Sequence, residues 1–262
     1  LWAKGLALGL RLFVEVREID VTTIAVQGPK AETLIARLFG EGARAVGMFR
    51  FAEMELGAAA GAAAGATVRI GRAGYSKQGG FEIYVERPEL AGAIWDALMA
   101  AGEDLSVRAG CPNLIERIEG GLLSYGADMT PDDTPLETGL ERFCALDKPV
   151  DFLGRDALRR RRDAGISRQL RGLVLDGGPL CPVLTNPELS VAGADGRRRA
   201  GVITSHAHSP TLGRPIAVAM IDRPFWEHGE TLTLDTSDGP RTATVGPLPF
   251  DLSTAPAVAA AA

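Results

Sequence analysis

The sequence predicts an α+β chain, with mixed helices and strands over residues 1–167 and a small all-β portion, sandwich or barrel, over 168–252. Three observations predict it. Apolar residues at helical spacing alternate with extended runs as far as residue 164. From Gln169 onward, short β-rich runs follow one another between Gly, Pro and Asp turns. A length of 262 residues, 46% hydrophobic and 23% charged, is enough for one or two ordinary cores.

Residues 1–12 read as the end of a helix. There is no initiator Met, and Leu1-Trp2-Ala3-Lys4-Gly5 lacks the segments of a signal peptide, so the sequence is expected to be a fragment without its N-terminal part. Residues 19–27 are β-rich, and Gly28-Pro29 ends them before a helix over 31–39. Strands over 48–56 and 66–73 are joined by the Gly/Ala run 57–65, read as a loose hairpin connection. Segment 71–86 then reads as a strand, a turn at Gly79-Gly80 and a second strand. In that second strand Phe81, Ile83 and Val85 alternate with Glu82, Tyr84 and Glu86, setting an oily face against an acidic and aromatic one.

Pro88 suits the first turn of a helix reaching Ala101, with Leu90, Ile94, Leu98 and Met99 at helical spacing. A further helix is predicted over 112–123. Gly120 and Gly121 inside it would each cost about 1 kcal/mol against Ala, so they point to close approach by another element or a ligand. Residues 128–137 are a loop and 154–164 a basic helix. Strands are predicted at 171–175, 200–204, 216–221, 231–234 and 241–245, and residues 253–262 as a disordered tail.

Several functions are disfavoured. A net charge of −5 argues against nucleic-acid binding, and no apolar run is long enough for a membrane span. Cys111, Cys144 and Cys181 lie far apart, which argues against a disulfide framework or a zinc cluster and makes a reducing, cytoplasmic setting the expectation. The acidic cluster 128–133 lacks the Gly and closing Glu of an EF-hand. Arg159–Arg162 reads as a solvated helix end, with attraction of an anionic substrate tail as a lesser role. Ser205-His206-Ala207-His208 has no G-x-S-x-G elbow and reads as a turn between strands. Neither a dinucleotide nor a P-loop glycine motif is present.

Two constellations remain. On the polar face of its strand, Glu82 could accept two near-parallel N–H bonds from a heterocycle, with Tyr75 and Tyr84 stacking on or bounding the ring. The competing reading is a half-exposed strand carrying solvated residues. The second constellation is Arg117, Glu119, Tyr125 and Asp128. Arg117 would hold a carboxylate or orient Glu82, against a plain reading as helix-surface ion pairing.

At these residues the chain resembles the glycine-cleavage T-protein (aminomethyltransferase) superfamily of tetrahydrofolate-dependent one-carbon transferases. The resemblance runs through Val26-Gln27-Gly28-Pro29, Gly74 to Ile83, Arg117-Ile118-Glu119, Leu122 to Gly126, Thr134 to Glu137, Phe152-Leu153-Gly154 and Gly201 to Ser205. Within it, GYSKQGGFEIYV and RAGCPNLIERIEGGLLSYGADMT look like the dimethylsulfoniopropionate demethylase branch. Aminomethyltransferases proper typically have Gly-Glu-Asp-Gly where this chain has Lys77-Gln78-Gly79-Gly80. The Lys-Gly-Cys-Tyr motif of the iron–sulfur-assembly folate proteins is absent.

The resemblance implies an incomplete T-protein-like folate-binding domain followed by a C-terminal β-barrel. It implies tetrahydrofolate as cofactor, a small-molecule methyl donor as partner, and no metal. Glu82 matches the carboxylate that grips the pterin, Tyr75 an aromatic beside folate and substrate, and Tyr84 a pocket aromatic; Arg117 and Tyr125 fall within the motif. No catalytic residue is assigned, because the stretch carrying the family's amine-positioning Asp lies upstream of Leu1. The implied activity is demethylation of dimethylsulfoniopropionate to a methylthio acid with formation of 5-methyltetrahydrofolate. The alternatives are an aminomethyltransferase of the glycine cleavage system and a non-catalytic folate-binding module.

Overall fold

The computed structural model describes residues 1–110, 114–184, 187–193 and 196–254. It has mixed α and β content, as the sequence predicts, and two compact units: Leu1–Gly74 with Gln78–Cys111, and Tyr75–Lys77 with Pro112–Ala262.

The first unit contains α1 (Trp2–Gly9), β1 (Thr22–Gln27), α2 (Ala31–Phe39), β2 (Phe51–Glu55), β3 (Thr67–Gly71), β4 (Gly80–Val85) and α3 (Ala91–Ala101). Its strands form an antiparallel sheet in the order β1-β4-β3-β2. Strand alternation turns Ile24, Val68, Ile70, Phe81, Ile83 and Val85 inward, where they are buried with Leu34, Ile35 and Leu38 of α2 and Ile94 and Leu98 of α3. Burying each such side chain contributes roughly 1.5–3 kcal/mol, which fixes the register and therefore which residues face the other way. Those are Ala25, Glu82, Tyr84, Arg69, Gly71, Phe51 and Glu53.

Two expectations are corrected here. β3 ends at Gly71, and residues 72–79 form a broad loop, so Gly80 opens β4 instead of turning the chain. The Gln27 side chain explains this. It occupies the space over Gly74 and Gly80, where an added Cβ would fall 1.9 and 2.4 Å from its atoms, and its Nε2 donates to Ala73 O at 3.1 Å. The Gly/Ala run is not loose either. Ala58–Ala63 forms 3-10 turns on either side of a kink at Gly61, and the small Ala60 and Ala63 are buried in the core.

The second unit contains α4 (Leu114–Glu119), α5 (Arg155–Ala164) and β5 (Arg168–Leu175), β6 (Glu188–Gly193), β7 (Gly196–Ser209), β8 (Arg214–Asp222), β9 (Thr231–Thr236) and β10 (Gly239–Gly246). The strands close into a barrel in the order β10-β5-β8-β7-β6-β9, which settles the sandwich-or-barrel choice and leaves no open edge. Leu173, Leu175, Leu189, Ile203, Leu232, Leu234 and Val245 form one buried cluster. Leu170, Ile216, Val218 and Met220 pack separately with Ile118 of α4 and Phe250. β8 therefore supplies residues to both clusters, which is why it reads as a nearly unbroken apolar run.

Here too the structure departs from the sequence reading. β6 was not predicted, and β7 runs through His206, Ala207, His208 and Ser209 instead of turning there, with a bulge between Ile203 and Ser205. α4 stops at Glu119, so the glycine pair lies beyond it, with Gly121 in the left-handed region at φ +63°. The expected close approach is present. An added Cβ would meet Lys77 Cγ at 2.6 Å from Gly120 and Pro249 Cα at 2.7 Å from Gly121. Of the predicted tail, Ser253 and Thr254 belong to a 3-10 turn, Leu252–Thr254; residues 255–262, and the predicted helix start at 112–113, lie outside the described residues.

Candidate functional site

In the first unit, Glu82 and Tyr84 point from the same face of β4. Glu82 is paired across the sheet with Ala25 on one side and Gly71 on the other, so its cross-strand neighbours are small. The Tyr84 ring leans across Gly71, where an added Cβ would be 3.3 Å from Cε2, and donates its hydroxyl to Glu82 Oε2 at 2.5 Å. That hydrogen bond, followed by burial, raises the Tyr84 pKa, so the phenol stays a donor at neutral pH. Among the described residues nothing donates to Glu82 Oε1. Beyond Tyr84 along this face, Arg69 bridges Glu53 at 2.8 Å and Glu86 at 3.0 Å. A cavity of about 290 Å³ is lined there by Arg69, Tyr84, Glu86 and Leu90.

In the second unit, Tyr75 donates its hydroxyl to Leu123 O at 2.5 Å and remains 48% exposed. Tyr125 is 69% exposed. Arg117 is not on a helix surface but buried. Its Nη1 donates to Asp128 Oδ2 at 2.8 Å and Leu122 O at 3.2 Å, and its Nη2 to Ser205 Oγ at 2.7 Å. Asp128 also accepts from Ser124 N at 2.8 Å and Thr204 Oγ1 at 2.7 Å. The plain surface ion-pair reading is therefore excluded by burial, and the network ties α4 and the turn after it, which carries Tyr125, to β7. Glu119 joins the same strand by accepting from Ser209 Oγ.

Sequence reasoning missed Glu137, which is fully buried. Its carboxylate accepts from Thr134 N at 2.8 Å, Thr134 Oγ1 at 3.0 Å and Arg161 Nη2 at 2.7 Å. Burial pushes its pKa up, but the Arg161 and Thr134 bonds together pull it further down, so the net position is below the ordinary carboxylate value. The signal was available in Thr134-Pro135-Leu136-Glu137, a Thr-x-x-Glu box with Pro inside it. The arginine run is correspondingly less solvated than predicted: Arg161 holds Glu137, and Arg159 Nε donates to Leu146 O at 2.9 Å. Among the described residues no group of three His, Cys, Asp or Glu could hold a metal, and no helix is long and apolar enough to cross a membrane.

Comparison with known proteins agrees with this architecture. Residues 2–148 match the GCVT N-terminal domain and residues 168–251 the glycine cleavage T-protein C-terminal barrel domain. The dimethylsulfoniopropionate demethylase DmdA of Ruegeria pomeroyi is 46% identical over 241 residues, covering 92% of this chain and 62% of that protein. Aminomethyltransferases of Saccharopolyspora erythraea and Listeria monocytogenes are 36% and 33% identical, covering 88% and 87% of this chain and 60% and 59% of theirs. The chain thus spans about 60% of the length of these relatives. In fold it resembles the crystal structure of the glycine cleavage system aminomethyltransferase T from Bartonella henselae, with a TM-score of 0.68 at 24% identity, covering 96% of this chain and 66% of that one. With a mixed α/β unit, a closed six-stranded barrel and both domain models matched in order, the chain belongs to the glycine cleavage T-protein family.

Proposed function

We propose that the protein acts in tetrahydrofolate-dependent demethylation of dimethylsulfoniopropionate, yielding a methylthio acid and 5-methyltetrahydrofolate, in the cytoplasm. The observation that carries this reading is Glu82, held at one carboxylate oxygen by Tyr84 and without a donor at the other among the described residues, with the small Ala25 and Gly71 as its cross-strand partners. A carboxylate presented in this way suits the planar N–H pair on a reduced pterin, where two charge-assisted bonds give orientation as well as affinity. The 46% identity to a dimethylsulfoniopropionate demethylase supports the choice of donor over the more distant aminomethyltransferases.

In this reading Glu82 seats the pterin and Tyr84 keeps the carboxylate in place. Tyr75 offers an aromatic face, and Tyr125 lies on a turn that Arg117 fixes through Asp128. Tetrahydrofolate, when bound, supplies the N5 nitrogen that accepts the methyl group. A sulfonium leaves as a neutral thioether and the proton that N5 sheds passes to water, so the residues need to align the partners more than move protons. Alignment alone supplies roughly 7–11 kcal/mol in favourable intramolecular cases. An aromatic face adds on the order of 0.5–2 kcal/mol toward a cation. We assign residues 1–167 to folate binding and 168–252 to the supporting barrel.

Proton NMR of the S-methyl signal tests the reading. Folate-dependent loss of that signal from dimethylsulfoniopropionate is expected. Folate binding with no loss would favour a non-catalytic folate-binding module, and transfer only from an aminomethyl-lipoyl donor would favour the glycine cleavage reaction.

A further inference from the structure

Lys77 is left unused by the roles assigned above. Its backbone lies at φ +60°, a left-handed conformation that a lysine keeps only where its surroundings hold it. What accommodates it is Gly120. A Cβ built there would fall 2.6 Å from Lys77 Cγ and 2.8 Å from its Cβ, so the lysine stem fills a notch that any other residue would close. Two positions earlier, Tyr75 is laid on the same stretch of chain through its bond to Leu123 O, with about half of its surface open. The Lys77 stem is thus fixed, while its ammonium has no partner among the described residues. The chain uses four lysines against 24 arginines, so lysine is not its default cation.

We propose that Lys77 is a specificity-determining residue whose ammonium receives a ligand carboxylate beside the Tyr75 ring. This rests on the folate-dependent methyl-transfer reading above. Dimethylsulfoniopropionate carries a sulfonium and a carboxylate two methylenes apart. An aromatic face favours the first and a compact, unpaired ammonium the second. Tyr75 and Lys77, both laid along 120–123, offer that pair of opposite preferences. The glutamyl tail of tetrahydrofolate carries the same carboxylate chemistry, and the test separates the two sources.

Titration calorimetry on the full chain would compare wild type, Lys77→Met and Lys77→Arg. The probes are dimethylsulfoniopropionate, its methyl ester, tetrahydrofolate and 6-methyltetrahydropterin, which lacks the tail. Lys77→Met is expected to weaken dimethylsulfoniopropionate about tenfold, equivalent to about 1.4 kcal/mol, while the ester is unaffected and Lys77→Arg retains most of the affinity. Lys77→Gly, which suits the left-handed backbone, should match Lys77→Met and guards against a folding artefact. A selective loss for tetrahydrofolate over 6-methyltetrahydropterin would keep the carboxylate assignment and move its source to the glutamyl tail. Equal affinities in wild type and Lys77→Met, or equal losses with and without the carboxylate, would overturn the proposal and leave the methyl-transfer reading standing. Lysine-dependent binding of dimethylsulfoniopropionate by a chain that binds no pterin would sink the folate reading and leave Lys77 standing. If wild type binds none of the four, both fall.

Discussion

Glu82 and Asp128 are both carboxylates with a protein donor at hydrogen-bond distance, yet they stand in opposite situations. Asp128 is 1% exposed and accepts from Arg117, Ser124 and Thr204, so each of its oxygens is filled. Glu82 is half-buried, accepts from Tyr84 alone among the described residues, and keeps one oxygen without a donor. A saturated, buried acid holds structure and has nothing left to offer a ligand. An acid fixed at one oxygen and open at the other is oriented without being used up.

The largest effect should come from breaking the saturated site. Asp128→Ala leaves the Arg117 guanidinium buried without its countercharge, and we expect about 3–5 kcal/mol of destabilisation in urea unfolding of the second unit. Glu82→Ala should do the reverse, weakening tetrahydrofolate binding by about 1.5–3 kcal/mol with little change in urea midpoint. If Glu82→Ala destabilised the protein as much as Asp128→Ala, the distinction between the two acids would be lost.

Glu137 sharpens the comparison through pH. Its pKa is lowered in the folded state, so its contribution is fully present above the ordinary carboxylate value of 4.5 and is lost as pH falls through the depressed value. Thermal melts below that point should show a steeper acid loss in wild type than in Glu137→Gln. The smallest effect is expected at Lys77→Gly, where relief of the left-handed backbone should raise stability by about 1 kcal/mol in the same melts. A gain in stability accompanied by loss of carboxylate affinity would mark Lys77 as a residue retained for binding.

The face that Glu82 occupies was legible in the sequence, and Arg117 and Asp128 stood out as candidates, but the burial and saturation of Asp128 were not legible, for a physical reason. Alternation along Phe81 to Glu86 is a local property, so the faces of β4 could be assigned before any partner was known. The Arg117–Asp128 pair spans only 11 positions, but the bonds that close the network come from Thr204, 76 positions from Asp128, and Ser205, 88 positions from Arg117, and no local pattern announces them. β8 was found because both its faces are apolar, whereas the first part of β7 was hidden by Arg197, Arg198 and Arg199. Arg197 and Arg199 pair with Asp235 and Asp222, contacts that exist only once the barrel has formed. Gly120 and Gly121 announced a close approach correctly, but glycine cannot say what approaches. Lysine at φ +60° carries no sequence signature at all.

The contact between Gly121 and Pro249 has a consequence for how the chain is made. The backbone just past α4 rests on a residue synthesised about 130 positions later, beyond the final barrel strand. As the chain leaves the ribosome, the turn that presents Tyr125 therefore waits for a segment beyond all six barrel strands to emerge before that support arrives. A stop codon just after β10 would spare every strand of the barrel and still remove this brace.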